Sequence, residues 1–130
     1  MNGTPKLLLI DDDADLHRIY GAYLENEGIE VLYATTAAAG AKMLQNHSFS
    51  VILLDLEMPG AAGVEAVALL QEACAYQLPP VILMTASHDW STISACINAG
   101  VRKVVNKPFT GPQLLARLQA ELGTRGWRPS

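Results

Sequence analysis

The sequence predicts an α/β fold in which a parallel, five-stranded sheet carries helices on both faces. Five short apolar runs alternate with five longer segments of helical period, which is the pattern of repeated βα units. Short connections between successive units require right-handed crossovers, and therefore a parallel, doubly wound sheet. Half of the 130 residues are hydrophobic, as expected when both faces of a sheet are covered.

The five apolar runs are the predicted strands. They comprise Lys6 to Ile10, Glu30 to Ala34, Ser50 to Leu54, Pro80 to Met84 and Arg102 to Val105. Each run has the length and the apolar character of a strand in a covered sheet.

The first two helices are predicted from spacing and from their end signals. The first begins near Ala14 and stops at Gly28. Its apolar face consists of Leu16, Ile19, Tyr20, Tyr23 and Leu24, which follow helical spacing. The second, from Ala37 to Gln45, follows Thr35 and Thr36, either of which can cap it. Its narrow apolar stripe consists of Ala38, Ala41 and Leu44.

The last three helices are delimited by glycine and proline. The third runs from Ala62 to Ala75, between the Pro59-Gly60 turn and Pro79-Pro80. The fourth runs from Asp89 to Asn98 and stops at Gly100. The fifth runs from Gly111 to Leu122. Its core side carries Leu114, Leu115, Leu118 and Leu122. We therefore expect one domain over residues 5–122 and, over 123–130, a disordered tail or linker stub.

Net charge, the length of apolar runs and the positions of cysteine and histidine limit the partners and metal sites that we expect. The formal net charge is −4 and there is no basic run, so direct nucleic-acid binding by this domain is not expected. Because no apolar stretch is long enough to cross a bilayer and residues 1–6 lack a secretory pattern, we expect a cytoplasmic protein without a membrane partner. Cys74 and Cys96 are interpreted as buried thiols. The three histidines, His17, His47 and His88, are interpreted as surface or helix-edge residues.

Acidic residues follow two of the strands at what we predict to be adjacent positions. In the flavodoxin-like strand order 2-1-3-4-5, which we expect here, ligands bind between the carboxyl ends of strands 1 and 3. Those strands end at Asp11-Asp12-Asp13 and at Asp55. Helix capping can explain one aspartate, but clustered carboxylates raise one another's pKa values and need a cation to offset them. Mg²⁺ (or Mn²⁺), which prefers oxygen ligands, suits this cluster.

The same edge of the sheet is suited to phosphoryl transfer. Asp55 could serve only as a turn former, but a carboxylate at the exposed end of a central strand beside a metal is placed as a nucleophile. Lys107 could be an ordinary solvated lysine, but at the end of strand 5 it can pair with phosphoryl oxygens. We expect a cis peptide bond before Pro108.

Four motifs together resemble the receiver domains of bacterial two-component response regulators, over about Lys6 to Leu122. The motifs are the acidic pair in Leu9-Ile10-Asp11-Asp12, the Asp55 of Leu54-Asp55-Leu56-Glu57-Met58-Pro59-Gly60, Thr85-Ala86, and Asn106-Lys107-Pro108-Phe109. The resemblance implies a phosphoacceptor switch that catalyses only its own phosphotransfer and dephosphorylation and is not an enzyme acting on an outside substrate.

The resemblance also implies a role for each matching residue. Asp55 would receive the phosphoryl group from the phosphohistidine of a sensor histidine kinase or phosphotransfer protein. Asp12 would bind Mg²⁺ directly and Asp11 largely through water, with the backbone carbonyl of Glu57 completing the protein ligands. Thr85 and Lys107 would each bind a phosphoryl oxygen. Asp13 is expected to be a cap or surface residue. Glu57 and Ser87 are expected to influence the lifetime of the phosphoryl group, with no sign assigned.

Strand 5 departs from the family pattern. The position three residues before Lys107, usually an aromatic switch residue, is Val104. A valine cannot swing a ring between buried and exposed positions, so the usual coupling to Thr85 would be muted or replaced by a backbone shift.

The fourth helix carries an apolar stripe of Trp90, Ile93 and Ile97, which is either core or an exposed patch. By resemblance, Trp90 and Ile93 beside Val104 would form part of a helix 4, strand 5, helix 5 face. That face would bind a downstream effector, an output domain or a second copy of the chain.

Two other functions remain as alternatives. One is a phosphorylation-independent interaction module with a residual acidic site, which Val104 keeps open. The other is a phosphohydrolase of the haloacid dehalogenase type. Its Asp-x-Asp-x-Thr/Val signature would need Thr or Val where Asp15 stands, and the chain has little room for a cap domain.

Overall fold

A computed structural model describes residues 4–58, 63–75, 77–86 and 89–122 of the chain. Within these residues five strands alternate with five helices. The elements are β1 (Lys6–Ile10), α1 (Ala14–Asn26), β2 (Glu30–Ala34), α2 (Ala37–Asn46), β3 (Val51–Asp55), α3 (Gly63–Ala73), β4 (Val81–Thr85), α4 (Trp90–Asn98), β5 (Lys103–Asn106) and α5 (Gly111–Leu122). The strands form one parallel sheet in the order β2-β1-β3-β4-β5, which confirms the predicted fold class.

The sheet is covered on both faces, and alternate residues of each strand face opposite sides. One core contains Leu8, Ile52 and Leu83 and packs against α2, α3 and α4. The other contains the strand residues that face the opposite side of the sheet, among them Leu7 and Ile82, and it packs against α1 and α5. This arrangement explains why the central strands read as continuous apolar runs rather than as alternating ones.

Strands β3, β4 and β5 begin and end one residue later than predicted. Asp55 pairs with Met84, and Thr85 pairs with Asn106, so both polar residues belong to the hydrogen-bonded ladder. The prediction ended these strands at the last apolar residue because hydrophobicity does not reveal where pairing stops. The consequence is that the parallel ladder itself holds Asp55 and Thr85 in place.

Helix ends agree with most of the predicted signals. Gly28 and Gly100 adopt positive φ values of 89° and 114°, so the residues expected to stop α1 and α4 do so in the left-handed region. Thr36, rather than Thr35, caps α2 by accepting a hydrogen bond from the backbone of Ala39. Helix α3 ends at Ala73, earlier than expected, and the chain turns through Ala75 with φ of 51°. Ala62 and the Pro59-Gly60 turn lie outside the described residues.

Two predicted placements in α1 are wrong, one on the apolar face and one at the surface. Ile19 is 59% exposed, although it was placed on the apolar face of α1. His17 is buried against Tyr33 with ring centroids 5.1 Å apart, although it was expected near the surface. Gly21 permits this packing, because a Cβ atom there would overlap the Tyr33 ring. The buried residues of α1 are accordingly His17, Gly21 and Leu24.

The apolar stripe predicted for α2 is also wrong, again at a glycine that allows close packing. Ala38 is exposed, and the buried residues are Ala37, Gly40 and Leu44. A Cβ atom at Gly40 would lie 2.6 Å from Cδ1 of Ile10, so the glycine is the point of closest approach to β1. Sequence periodicity gives glycine no weight as a core residue and therefore places the stripe one position away.

Most other predictions on the chain are confirmed where the structure describes them. Leu114 and Leu118 of α5 are fully buried, and Leu115 and Leu122 pack against the same core. Cys96 is buried as predicted, whereas Cys74 is only partly buried, and both thiols are free. His47 is exposed as expected. His88, Ser87 and the tail over 123–130 lie outside the described residues. No helix in the described ranges has the length and apolar character that a membrane crossing requires.

Candidate functional site

Three aspartates meet at the carboxyl end of the sheet, between β1 and β3. Carboxylate oxygens of Asp11, Asp12 and Asp55 all lie within 4.8 Å of one another. Asp11 and Asp55 are buried, at 0% and 5% exposure, and Asp12 is exposed. The structure therefore brings together the three carboxylates that the strand ends predicted, with one of them open to solvent.

Lys107 reaches into this cluster from the end of β5. Its Nζ lies 3.1 Å from Oδ1 of Asp55 and 3.5 Å from Oδ2 of Asp11. The position of Lys107 is fixed by its backbone N–H, which donates to the carbonyl of Thr85 at 2.8 Å. The Lys107–Pro108 peptide bond is cis, as predicted. Lys107 is thus a cation that pairs with two buried carboxylates, rather than an ordinary solvated lysine.

Backbone donors orient the two buried carboxylates. Oδ1 of Asp11 accepts from the N–H of Asp13 at 2.9 Å, and Oδ1 of Asp55 accepts from the N–H of Glu57 at 3.2 Å. The side chain of Asp13 turns away and caps α1, accepting from the N–H groups of Asp15 and Leu16. Asp13 is therefore a cap, as expected.

The protonation of the site reflects burial and charge together. Burial raises the pKa of the Asp11 carboxyl above its ordinary value, a shift that the Asp13 backbone hydrogen bond opposes and the Asp55 charge adds to. Burial by itself would lower the pKa of Lys107, but the charges of Asp55 and Asp11 outweigh it, so the pKa is raised. Lys107 is accordingly a firmly charged ammonium at neutral pH.

The carboxylate set fits a hard divalent cation. Two buried aspartates and one exposed aspartate supply only oxygen donors, and the exposed side leaves room for the water ligands that Mg²⁺ retains. Lys107 is a single positive charge among three carboxylates, so the cluster keeps a negative excess that a cation would offset.

Thr85 lies at the end of β4 beside this cluster and is fully buried. Its hydroxyl donates to Oε2 of Glu57, and the N–H of Ala86 donates to Oε1 of the same side chain at 2.8 Å. The resemblance implies a metal-binding main-chain carbonyl at Glu57 and an influence of this residue on the phosphoryl lifetime, but it does not predict that the carboxylate accepts these two hydrogen bonds. A glutamate two residues after Asp55 was the available signal, but its partners depend on how β3 and β4 lie side by side.

The opening around the site is partly apolar. A cavity of about 380 Å³ adjoins Lys107 on the α1 side. Its lining residues are Leu16, Tyr20, Ala86, Lys107, Pro108 and Phe109. The hydroxyl of Tyr20 donates to the backbone carbonyl of Phe109, which ties α1 to the segment after β5. The cavity thus borders the cluster at Lys107, while the carboxylates themselves are open to solvent at Asp12.

Comparison with known proteins decides the family. Residues 7–119 match the model of the response regulator receiver domain. The chain belongs to this family. The receiver domain is 35% identical over 119 residues to the transcriptional regulatory protein CpxR homolog of Haemophilus influenzae, a match that covers 90% of this chain and 50% of the relative. The chain spans about half the length of the curated relatives it matches.

Solved structures show the same architecture. The Vibrio cholerae chemotaxis protein CheY4 superposes with a TM-score of 0.85 at 26% identity, over 92% of this receiver domain and 100% of that chain. The receiver domain of the sensor histidine kinase PA1611 from Pseudomonas aeruginosa superposes with a TM-score of 0.81 at 22% identity, over 94% and 100% of the two chains. The second likeness shows the fold alone.

The stripe predicted on the fourth helix divides between core and surface. Ile93 is 4% exposed and packs into the molecule, so its placement in an exposed patch is wrong. Trp90 is 71% exposed and Ile97 is 47% exposed. These two residues line a groove of about 360 Å³ with Val104, while Ile93 forms part of its floor. The buried residues of α4 are Ile93 and Cys96, so Trp90 and Ile97 lie at the edge of the buried face, and the stripe divides there.

Proposed function

We propose that this receiver domain is a phosphoacceptor switch in which Asp55 receives a phosphoryl group from the phosphohistidine of a histidine kinase or phosphotransfer protein. One observation carries the proposal: Asp55 lies among two further carboxylates, the Lys107 ammonium and the buried end of β4. A structural ion pair would need only one carboxylate for each cation. This set matches what a transferring phosphoryl group and its metal require.

The chain's own groups can perform the transfer. An oxygen of the Asp55 carboxylate attacks phosphorus, and the phosphorus–nitrogen bond breaks with its electron pair on the histidine nitrogen. The imidazole, protonated on its other ring nitrogen, leaves as the neutral ring, and Asp55 becomes an aspartyl phosphate. Lys107, now 3.1 Å from Asp55, is placed to pair with a phosphoryl oxygen as charge moves outward. The hydroxyl of Thr85 is the proposed donor to another phosphoryl oxygen.

Asp12, Asp11 and the backbone carbonyl of Glu57 are the proposed protein ligands of Mg²⁺ (or Mn²⁺), together with Asp55. When bound there, the ion would neutralise part of the negative charge of the incoming phosphoryl group. The support within this chain is the mutual proximity of the three carboxylates. A magnesium ion is coordinated in the active site cleft of the PA1611 receiver domain, which has the same fold.

The output surface of the proposed switch is the face formed by α4, β5 and α5. Exposed Trp90 and Ile97 flank Val104 there, and they are proposed to contact an output domain, another effector or a second copy of the chain. We propose that the receiver unit covers residues 5–122, acts in the cytoplasm and modifies only itself. It is not proposed to contact nucleic acid or a membrane directly.

The test uses the protein with Mg²⁺ and acetyl phosphate. We expect one labile phosphoryl group per chain by intact mass, lost in Asp55→Asn and retained in Asp15→Asn, an exposed aspartate on α1. Absence of modification in the unaltered protein would contradict the proposal and favour a phosphorylation-independent interaction module. Rapid turnover of unrelated phosphoesters would instead favour the hydrolase.

A further inference from the structure

The Glu57 carboxylate holds two hydrogen-bond donors at the end of β4. One oxygen accepts from the Thr85 hydroxyl and the other accepts from the Ala86 N–H at 2.8 Å. The backbone N–H of Glu57 meanwhile donates to Oδ1 of Asp55. Glu57 therefore connects the acceptor aspartate on β3 with the first two polar groups at the end of β4.

Donor counting shows the consequence of this contact. A threonine hydroxyl carries one proton, and a backbone amide carries one. While Glu57 accepts both protons, neither can be donated to a phosphoryl oxygen on Asp55. A phosphorylated Asp55 would also place a second anionic group beside the Glu57 carboxylate, and like charges at close range repel.

We propose that Glu57 is a built-in competitor of the phosphoryl group, occupying the Thr85 and Ala86 donors in the unmodified protein and leaving them when Asp55 is modified. This regulation rests on the proposed function, because it acts on the phosphorylated form. The exchange is feasible since Glu57 is exposed, so its side chain can move into water without crossing packed residues. Thr85 is fully buried and stays where the ladder holds it.

The competitor lowers the occupancy of the modified state. Each phosphoryl oxygen that binds one of these donors must first break a charge-assisted hydrogen bond to Glu57, so the net gain in free energy is smaller than for a free donor. Removing the Glu57 carboxylate should therefore strengthen binding of a phosphoryl group. Removing the negative charge of Glu57 should also weaken Mg²⁺ binding, and weaker Mg²⁺ binding would lower the affinity for the phosphoryl group. A higher affinity in the variants therefore cannot result from a change in Mg²⁺ binding.

The experiment measures beryllofluoride binding, a mimic of the phosphoryl group, in saturating Mg²⁺. The variants are Glu57→Ala, which removes both acceptors, and Glu57→Gln, which removes the charge and keeps one carbonyl acceptor. The matched control is Glu72→Gln, which replaces an exposed glutamate near the C-terminal end of α3, away from Glu57. We expect dissociation constants about three- to tenfold lower for the two Glu57 variants and unchanged for the control.

A second readout reports the contact itself. In the unmodified protein the Ala86 amide proton should resonate downfield, as expected for donation to a carboxylate, and should move upfield in Glu57→Ala before any beryllofluoride is added. Addition of beryllofluoride should return it downfield. A well-dispersed amide spectrum verifies that each variant is folded, and Glu57→Gln keeps the test valid if Glu57→Ala does not fold.

The outcomes separate the two proposals. Equal affinity of all variants, with binding abolished by Asp55→Asn, would overturn the role of Glu57 and leave the phosphoacceptor function standing. Weaker binding in the Glu57 variants would also overturn it, since the carboxylate would then assist the modified state. Failure of every folded variant, including the unaltered protein, to bind beryllofluoride would overturn the phosphoacceptor function.

Discussion

Lys107 places its ammonium 3.1 Å from the carboxylate of Asp55, although the two residues are 52 positions apart in the chain. The pair joins the end of β5 to the end of β3, across the intervening β4. Asp11 shares the same ammonium at 3.5 Å. Because both carboxylates are buried, the cation offsets their charge in the unmodified site and is also a candidate ligand for phosphate.

Replacing Lys107 by methionine tests both roles. In buffer with a chelator, Lys107→Met should lower the free energy of unfolding by about 1–3 kcal/mol, since two buried carboxylates lose their cation. Mg²⁺ should restore part of that loss. Lys103→Met, at the start of β5, should change stability by less than about 0.5 kcal/mol. Denaturant unfolding monitors stability, and unchanged stability together with normal phosphoryl acceptance in Lys107→Met would contradict both roles.

Magnesium should stabilise the domain through Asp12 and not through Asp13. At a Mg²⁺ concentration about 100 times the dissociation constant, the gain in unfolding free energy should be about 2.7 kcal/mol. Asp12→Asn should lose most of this gain. Asp13→Asn should retain it, because asparagine can still cap α1 and the Asp13 side chain points to the helix. Thermal unfolding with and without Mg²⁺ measures the difference, and equal losses in the two variants would refute the assignment.

Asp11 should make stability depend on pH in the absence of metal. Burial raises its pKa above the ordinary value of 3.8, so the unfolded chain releases this proton more readily than the folded chain. Stability from this group is therefore greatest at low pH and declines as the pH rises from 3.8 through the folded pKa. Asp11→Asn should be more stable than the unaltered protein at pH 7, and the difference should shrink toward pH 4.

The measurement for Asp11 is denaturant unfolding of both proteins in chelator across that pH range. Asp15→Asn serves as a control for removing a negative charge at an exposed position. An Asp11→Asn variant that is less stable at pH 7 would show that pairing with Lys107 outweighs the burial of the charge.

Helix α4 should respond differently at two isoleucines one turn apart. Ile93→Ala should cost about 2–4 kcal/mol of unfolding free energy, since Ile93 is 4% exposed. Ile97→Ala, at 47% exposure, should cost less than about 1 kcal/mol. If the face of α4, β5 and α5 binds a partner, Trp90→Ala and Ile97→Ala should weaken that interaction in phosphorylated protein while leaving the fold intact.

A failure of Trp90→Ala and Ile97→Ala to alter either oligomeric state, by sedimentation, or any partner interaction in phosphorylated protein would remove this face from the proposed switch. Comparable stability losses for Ile93→Ala and Ile97→Ala would contradict the division of α4 into core and surface.

Much of the fold was predictable because burial on both faces of the sheet leaves a strong local signal. Strands β1 and β2 have their predicted bounds, β3, β4 and β5 are shifted by one residue, and Gly28 and Gly100 mark helix ends by their positive φ values. Predictions were wrong where a close approach decided the helix face. His17 is buried against Tyr33, for whose ring Gly21 leaves room, while Ile19 is exposed, and no local spacing encodes the contact between α1 and Tyr33.

The amino-acid sequence by itself determined which polar residues stand at the ends of the strands. Asp11, Asp12, Asp55, Thr85 and Lys107 are recognisable because an apolar run stops at or near each of them. Tertiary structure decided their partners. The pairing of Lys107 with Asp55 and the hold of Glu57 on Thr85 depend on the lateral order and register of β3, β4 and β5. Those are long-range properties, set by how whole helices and strands pack, and no single segment carries them.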